Sequence, residues 1–494
     1  MTRDLDALTA RTFDVLVVGG GIYGLTIAYD AAQRGLSVGL IERHDFGSGA
    51  SFNHLRTIHG GLRYLQTLDV SRARESVLER RALVTIAPHT LRPLPFALPL
   101  ARSLTRGATA MRAGFALDRM IAGDRNHGVL PSHALPAGYV LSKEDALARF
   151  PGLDARGLAG AAVWHDYIAA EADRLTLSFA LAAAAAGAVL CNYVEADAIV
   201  REGQRAVGVR AHDAVTGRAL DLAARLIVNA TGSRIDALLA PHHSATQLPM
   251  LKVMNLVTRR AAADAAVGGR SASGRTLFSV PWHGRALFGT WEADRVYAPD
   301  DQRVERDDVA GFIDELNEAF PGLALTRDDV TLVHRGIVPA VAANGHVSLE
   351  GHDHVREHGP DGLEGPLSVV GAKYTTARRV AERITDRLLV KLGHPKVLCH
   401  TASTPLPGGG VRDLSKTLMA ARKVAPPDVS EASLTHLTAA YGSRCHDVLR
   451  LCADRPGLAA SVGDGSPVIG AELVWAARHE MVVTLADAVI RRTP

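Results

Sequence analysis

Cysteine is scarce in this chain: Cys191, Cys399, Cys445 and Cys452 are four residues in 494, and no C-x-x-C pair is among them. That scarcity argues against a disulfide scaffold or a thiolate-built metal site, so no metal is expected, and it favours a reducing compartment. Neither sign of charge is in excess, with 55 basic against 52 acidic side chains. The whole-molecule charge therefore gives no reason to expect a nucleic-acid partner. No apolar run reaches the roughly 20 residues that cross a bilayer. The nearest, Leu175 to Leu190, is alanine-rich, preceded by Glu171, Asp173 and Arg174 and broken by Gly187, and reads as a buried helix on a sheet. Met1 to Arg11 lacks the apolar centre of a signal peptide, so a cytoplasmic location is expected. No internal repeat is visible. A chain of this length that is 47% hydrophobic and 22% charged suits an α/β or α+β enzyme of two or three domains.

Asp14 to Val18 is a short apolar run of the kind found in buried parallel strands. It leads into Gly19-Gly20-Gly21-Ile22-Tyr23-Gly24, then into helical spacing over Leu25 to Arg34, then into a second strand over Gly35 to Ile41 that ends at Glu42. In such a G-x-G-x-x-G unit Gly19 permits the tight turn, Gly21 lets the backbone approach a pyrophosphate, and Gly24 brings the helix close to the strand. The helix N-terminus offers amide donors and positive dipole to phosphates. Glu42 is placed to accept hydrogen bonds from ribose hydroxyls. The plainer alternative is a glycine-rich turn with no ligand, but strand, helix and terminal acid agree on a dinucleotide.

A third strand, Ala224 to Val228, ends in Asn229-Ala230-Thr231-Gly232. An A-T-G ending of this kind, some 200 residues after the first motif, is typical of FAD proteins of the glutathione-reductase type. Leu367 to Val370 is a late strand ending in Gly371-Ala372-Lys373-Tyr374-Thr375-Thr376, and a helix follows through Arg378, Val380 and Ile384. That turn aims a second helix N-terminus at the flavin ring, where negative charge develops on reduction. With no second G-x-G-x-x-G, the expectation is one FAD and no dedicated NAD site.

Ser51, Arg56 and the run Ile58-His59-Gly60-Gly61-Leu62-Arg63-Tyr64-Leu65 resemble the FAD-dependent glycerol-3-phosphate dehydrogenases, flavoproteins of the DAO type. Ala87-Pro88-His89, Pro281-Trp282, Gly289-Thr290, Gly371-x-Lys373-x-Thr375-Thr376-x-Arg378, Leu406-Pro407-Gly408-Gly409, Tyr441-Gly442-Ser443, Glu480-Met481 and Arg491-Arg492-Thr493 extend the resemblance over nearly the whole chain. It implies oxidation of a CH–OH carbon of a small molecule, with electrons passed to quinone, oxygen or an electron carrier. It also implies Ser51, Arg56, Gly60, Gly61, Thr375 and Thr376 at the cofactor, and Arg63 and Lys373 at the substrate. Only seven of the 55 basic residues are lysine, which makes Lys373 at a strand end less ordinary than a surface lysine. A salt-bridged or capping lysine, and an arginine anchoring the glycine loop, are the plainer alternatives. His59 either orients the flavin or caps its loop.

Three departures concern the substrate. The family's Gly-x-Arg-Pro element is here Gly336-Ile337-Val338-Pro339, with Arg335 before it, and its Lys-Gly-x-His element is Lys252-Val253-Met254-Asn255. A further family arginine aligns near Gly351, beside His352, His354 and Arg356. A phosphate monoester favours bidentate arginines, and losing two removes about 1.5–3 kcal/mol for each charged hydrogen bond. Either Arg335 and Arg356 replace them, or the substrate is another alcohol or an amine; a non-catalytic FAD-binding protein is a third alternative. Asn255 cannot be a base, which leaves His59 and His334 as candidate proton acceptors.

The expected fold is α/β. A Rossmann-like FAD-binding domain of glutathione-reductase type spans 12–88, 152–239 and 363–398, with a helical insertion over 89–151. An antiparallel-sheet substrate domain follows over 248–347, and a small C-terminal helical domain over 411–494. Leu100 to Ile121, with Arg102, Arg106, Arg112 and Arg119, reads as a helix that either packs on the FAD domain or makes peripheral contact with the inner membrane face. The sequence is silent on oligomeric state.

Overall fold

The computed structural model describes residues 1–103, 107–150 and 152–493. Arg106, Pro151 and Pro494, which belong to segments discussed above, lie outside the described residues.

The apolar run at the N-terminus becomes the strand Phe13–Val18, buried on both faces. It pairs in parallel with Val38–Glu42 on one side and Ala219–Asn229 on the other; Val189–Asn192 and Pro366–Val370 extend the parallel sheet outward. His354–Glu357 closes one edge in antiparallel register. Such two-faced burial needs a cover on each side. One cover is helical: Ile22–Gln33, Ala172–Ala185 and Ala377–Leu392 pack together, with Leu25, Phe179 and Ile384 in one core. The other is the meander Val194–Glu202, Arg205–Asp213 and Ala219–Asn229, whose Ile199, Val209 and Leu220 meet Phe13 and Leu16. The alanine-rich segment is thus a buried helix against a sheet. Among the described residues no helix is long and apolar enough to cross a membrane.

A second sheet of ten strands stands beside the first. Its centre is Met250–Ala261, Arg285–Glu292, Thr276–Trp282 and Val330–Ala343, antiparallel throughout. The expected helical character of 89–151 is corrected here. Arg92–Leu100 is a strand of this sheet, antiparallel to Gly160–Ile168 along its length and parallel to Ala266–Arg270. Its prolines at 93, 95 and 99 fall on one edge of the strand, which leaves the donors of the other edge for the ladder. Gly160–Ile168 and Thr57–Ile58, read from sequence within the cofactor domain, also belong to this sheet. The basic helix begins only at Ala108 and ends at Ile121; Phe115 docks it on the Leu100 and Ala162 surface, while Arg112 and Arg119 face outward. At the C-terminus, Leu414–Val424, Glu431–Tyr441, Cys445–Asp454 and Gly470–His479 share a core that contains Cys445 and Cys452.

Candidate functional site

The two sheets enclose one long cavity of ≈ 360 Å³ that runs from Glu42 and Val194 at one end to Asn255, Thr290 and Lys373 at the other. Its first half is built by glycines. Gly19 has φ +108°, and a β-carbon there would lie 2.4 Å from the Ala230 carbonyl. A β-carbon on Gly24 would lie 1.9 Å from the Gly19 oxygen, so Gly24 acts by letting the helix rest on the turn rather than by facing the cavity. Gly21 caps the helix Ile22–Gln33, and Ser51 Oγ accepts the Ile22 N–H at 2.9 Å. The Glu42 carboxylate takes the Gly20 N–H at 2.6 Å and the His44 N–H at 2.9 Å, which fixes the acid at the strand end on the cavity wall. Thr231 and Gly232, the latter at φ +63°, line the opposite side. A bare glycine wall at a helix N-terminus, with an acid at the end of the next strand, fits the diphosphate and ribose of FAD.

At the other end Lys373 follows Gly371 out of the strand Pro366–Val370. Its Nζ donates to Ser76 Oγ at 3.0 Å and lies 4.2 Å from the Tyr64 ring centroid. Burial, and secondarily the Arg72 guanidinium, pull its pKa down to about 8. The turn is held by Arg378, which binds Glu79 at 2.5 and 2.8 Å and ties the helix Ala377–Leu392 to Val70–Ile86. Asn255 faces the same end, but its amide is engaged: Nδ2 donates to the Asn53 carbonyl at 3.3 Å and Oδ1 accepts from Thr290 Oγ1 at 2.9 Å.

Most other residues singled out from sequence lie away from that cavity wall. Arg56, at φ +61° and fully buried, pairs with Asp173 at 3.1 Å between Phe52 and Trp282. Gly60 gives its N–H to Asp166 at 2.7 Å and is pressed against Arg80; Gly61 abuts Ser76. Arg63 is exposed on the turn Leu62–Thr67. Thr375 and Thr376 are buried at the start of a helix. His334 sits between Phe52 and Trp282, where burial and Arg56 lower its pKa to about 3. His59 is lowered to about 4 by burial and then Lys373. Arg335 and Val338 are at the cavity, whereas Arg356 is held by Asp361 and the Ala245 carbonyl.

The sequence reading missed His54. Its Nδ1 accepts the Arg56 N–H at 3.0 Å, which assigns the ring proton to Nε2. The ring stacks on Tyr374 at 4.7 Å, and Nε2 is buried on the cavity wall without a protein partner among the described residues. Burial, followed by the charge of Arg56, lowers its pKa to about 3, so the ring is neutral with its proton on Nε2. Only its position two residues before Arg56 could have signalled this. Among the described residues no group of acids, histidines and cysteines could hold a metal ion.

Residues 14–387 match the family described as FAD dependent oxidoreductase, and residues 399–494 match the C-terminal domain of alpha-glycerophosphate oxidase. A glycerol-3-phosphate dehydrogenase of Synechocystis sp. is 31% identical, covering 99% of this chain and 90% of its own length. The mitochondrial glycerol-3-phosphate dehydrogenase of Rattus norvegicus is also 31% identical, over all of this chain and 69% of its own length. The FAD complex of the glycerol-3-phosphate dehydrogenase from Bacillus halodurans superposes with TM-score 0.76 at 25% identity, covering 99% of this chain and 87% of that one.

Proposed function

This chain belongs to the FAD-dependent oxidoreductase family, and from that membership we propose that it oxidises the secondary alcohol of glycerol 3-phosphate, the substrate its relatives are named for, to the ketone. Bound FAD supplies the two-electron acceptor for the hydride that leaves the substrate carbon. Gly19, Gly21, Glu42, Ser51, Thr231 and Gly232 would hold it, with His54 and Gly371 toward its reactive end. Everything else the chain does is positioning and proton transfer. Lys373, uncharged in a substantial fraction of molecules near pH 8, takes the hydroxyl proton at Nζ and is steadied there by Ser76 and Tyr64. Neither His59 nor His334 reaches the cavity wall, and Asn255 serves as a clamp that fixes Asn53 against Thr290. Val253 and Val338 close the same end with apolar surface that keeps water from the reacting carbon.

The observation that carries this reading is Lys373: a half-buried amine of lowered pKa, at the far end of the same cavity that begins at the glycine cradle. Anaerobic mixing tests it. Flavin absorbance should bleach with glycerol 3-phosphate and not with glycerol. One observation favours a second reading. Val338, buried among Leu251, Val253 and Ala340, stands where the family has a cation. Bleaching by an unphosphorylated alcohol or an amine alone would establish that second reading. Electrons then leave to a separate acceptor, and reoxidation rates with quinone, oxygen and a carrier protein identify which one.

A further inference from the structure

Two places where a phosphate-gripping arginine is expected by resemblance, Val338 and the neighbourhood of Gly351, carry no cation of their own. Arg335 lines the cavity, but it projects from the strand on the side opposite to Val338 and does not replace the first. Side chains alternate across a strand, and Gly336 and Val338 face the cofactor loop, with Ala50 3.4 Å from where a Gly336 β-carbon would be. Arg335 pairs in register with Met254, whose side chain belongs to the core on the opposite face. Gly351 is different, because a guanidinium arrives there from elsewhere. Arg72, on the helix Val70–Ile86, donates from Nη2 to the Gly351 carbonyl, and a β-carbon at 351 would fall 2.4 Å from that nitrogen. The glycine makes room for an arginine that another element delivers.

The surroundings of Arg72 are cationic. Its guanidinium lies 4.5 Å from the centroid of the Tyr64 ring, the ring that Lys373 Nζ approaches to 4.2 Å. Arg63 is exposed on the same turn, one residue before that tyrosine. Among the described residues the carboxylate nearest Arg72 is Asp69, at 3.7 Å, which is beyond hydrogen-bond reach. Two further acids nearby, Glu75 and Asp353, are both held by Arg383, at 2.9 Å and at 2.7 and 2.8 Å. Arg72, Arg63 and Lys373 thus gather around Tyr64 beside the wall formed by Leu349, Ala372 and Lys373, with Asp69 paired to Arg72 at ion-pair distance.

We propose that Arg72 is the phosphate anchor of this enzyme, a guanidinium supplied from a helix in place of the arginines missing from the substrate-domain strands. The proposal rests on the reading that the substrate is a phosphate monoester, and it gives that ester a place. In glycerol 3-phosphate one carbon and one oxygen separate the reacting carbon from phosphorus. Arg72 and Lys373 share the Tyr64 ring, 4.5 and 4.2 Å from its centroid, which gives the phosphate a place on Arg72 and the hydroxyl a place at Lys373. A planar fork suits phosphate oxygens bidentately, which an ammonium cannot do.

The FAD-loaded protein is compared with Arg72→Ala, Arg72→Lys and the double variant Arg72→Ala/Gly351→Arg. Two quantities are read: KM and kcat for glycerol 3-phosphate, and calorimetric affinity for inorganic phosphate. Arg72→Ala should raise KM and weaken phosphate binding each about tenfold to hundredfold, with kcat changed far less. Arg72→Lys should recover only part of this. The double variant, which returns a guanidinium from residue 351, should recover most of it. An Arg72→Ala protein with unchanged KM and phosphate affinity overturns the anchor while leaving glycerol 3-phosphate oxidation intact. Phosphate binding that depends on Arg72, in a protein that glycerol 3-phosphate does not bleach, keeps the anchor and overturns the functional reading. Neither bleaching nor phosphate binding in the unmodified protein removes both.

Discussion

An ammonium taken out of water and set near a guanidinium gives up its proton more readily than one at the surface. Lys373 is in that position, and its pKa of about 8 has a direct kinetic consequence. With the neutral amine as the proposed proton acceptor, kcat/KM should climb as pH rises through about 8 and level off above it, reporting the free enzyme. Replacement by methionine should abolish that limb and lower kcat by about 10²–10⁴, with FAD content unchanged. A pH profile that stays flat in the unmodified protein would remove Lys373 from this role. His54 illustrates the opposite case at the same scale. Its tautomer is fixed by the N–H of Arg56 two residues on, which reaches the ring because Arg56 adopts the left-handed backbone region, a conformation that residue type does not announce. Arg63 shows the same limit from the other side: a residue-by-residue likeness cannot tell whether a short turn leaves its side chain facing a cavity or solvent.

At the scale of elements, the cradle is a contact between backbones. The helix Ile22–Gln33 touches the preceding turn where Gly24 has no side chain, 1.9 Å from where a β-carbon would meet the Gly19 carbonyl. Gly24→Ala must push the helix off that turn, and the purified variant should contain little or no FAD. Gly114→Ala is the control. That glycine lies within the helix Ala108–Ile121 with nothing near its absent side chain, so the change should leave FAD content alone and stabilise by about 0.5–1 kcal/mol. Retention of FAD at normal stoichiometry by Gly24→Ala would refute the argument. This part of the molecule was readable in advance because spacing over a dozen residues encodes it. The strand Arg92–Leu100 was not. Its prolines read locally as breakers, and only a partner along one edge makes their alternation compatible with a strand.

At the scale of the whole molecule, the turn Asp487–Arg492 is tied back to the cofactor loop. Arg492 on the π-helical turn Asp487–Arg492 binds Asp45 bidentately, at 2.5 and 2.8 Å, and Asp45 sits in the loop that follows Glu42 around the cavity. Arg174, in the buried helix Ala172–Ala185, binds Glu480 at 2.6 and 2.9 Å. Both pairs are buried, so deleting one partner strands the other charge. Arg492→Ala should lower stability by about 3–5 kcal/mol and speed FAD loss on dilution, and added FAD should restore part of the melting temperature. A variant that melts normally and keeps its FAD would show that the C-terminal unit does not hold the cofactor loop. The sequence alone determined the dinucleotide cradle, the choice of FAD and the family, because those depend on local spacing and on residue types that short backbone segments require. Only the tertiary structure brought basic groups from distant segments together at the Tyr64 ring. Arg72 and Gly351 are 279 positions apart, and only folding sets one against the other, since electrostatic attraction to a ligand depends on distance in space and is blind to distance along the chain.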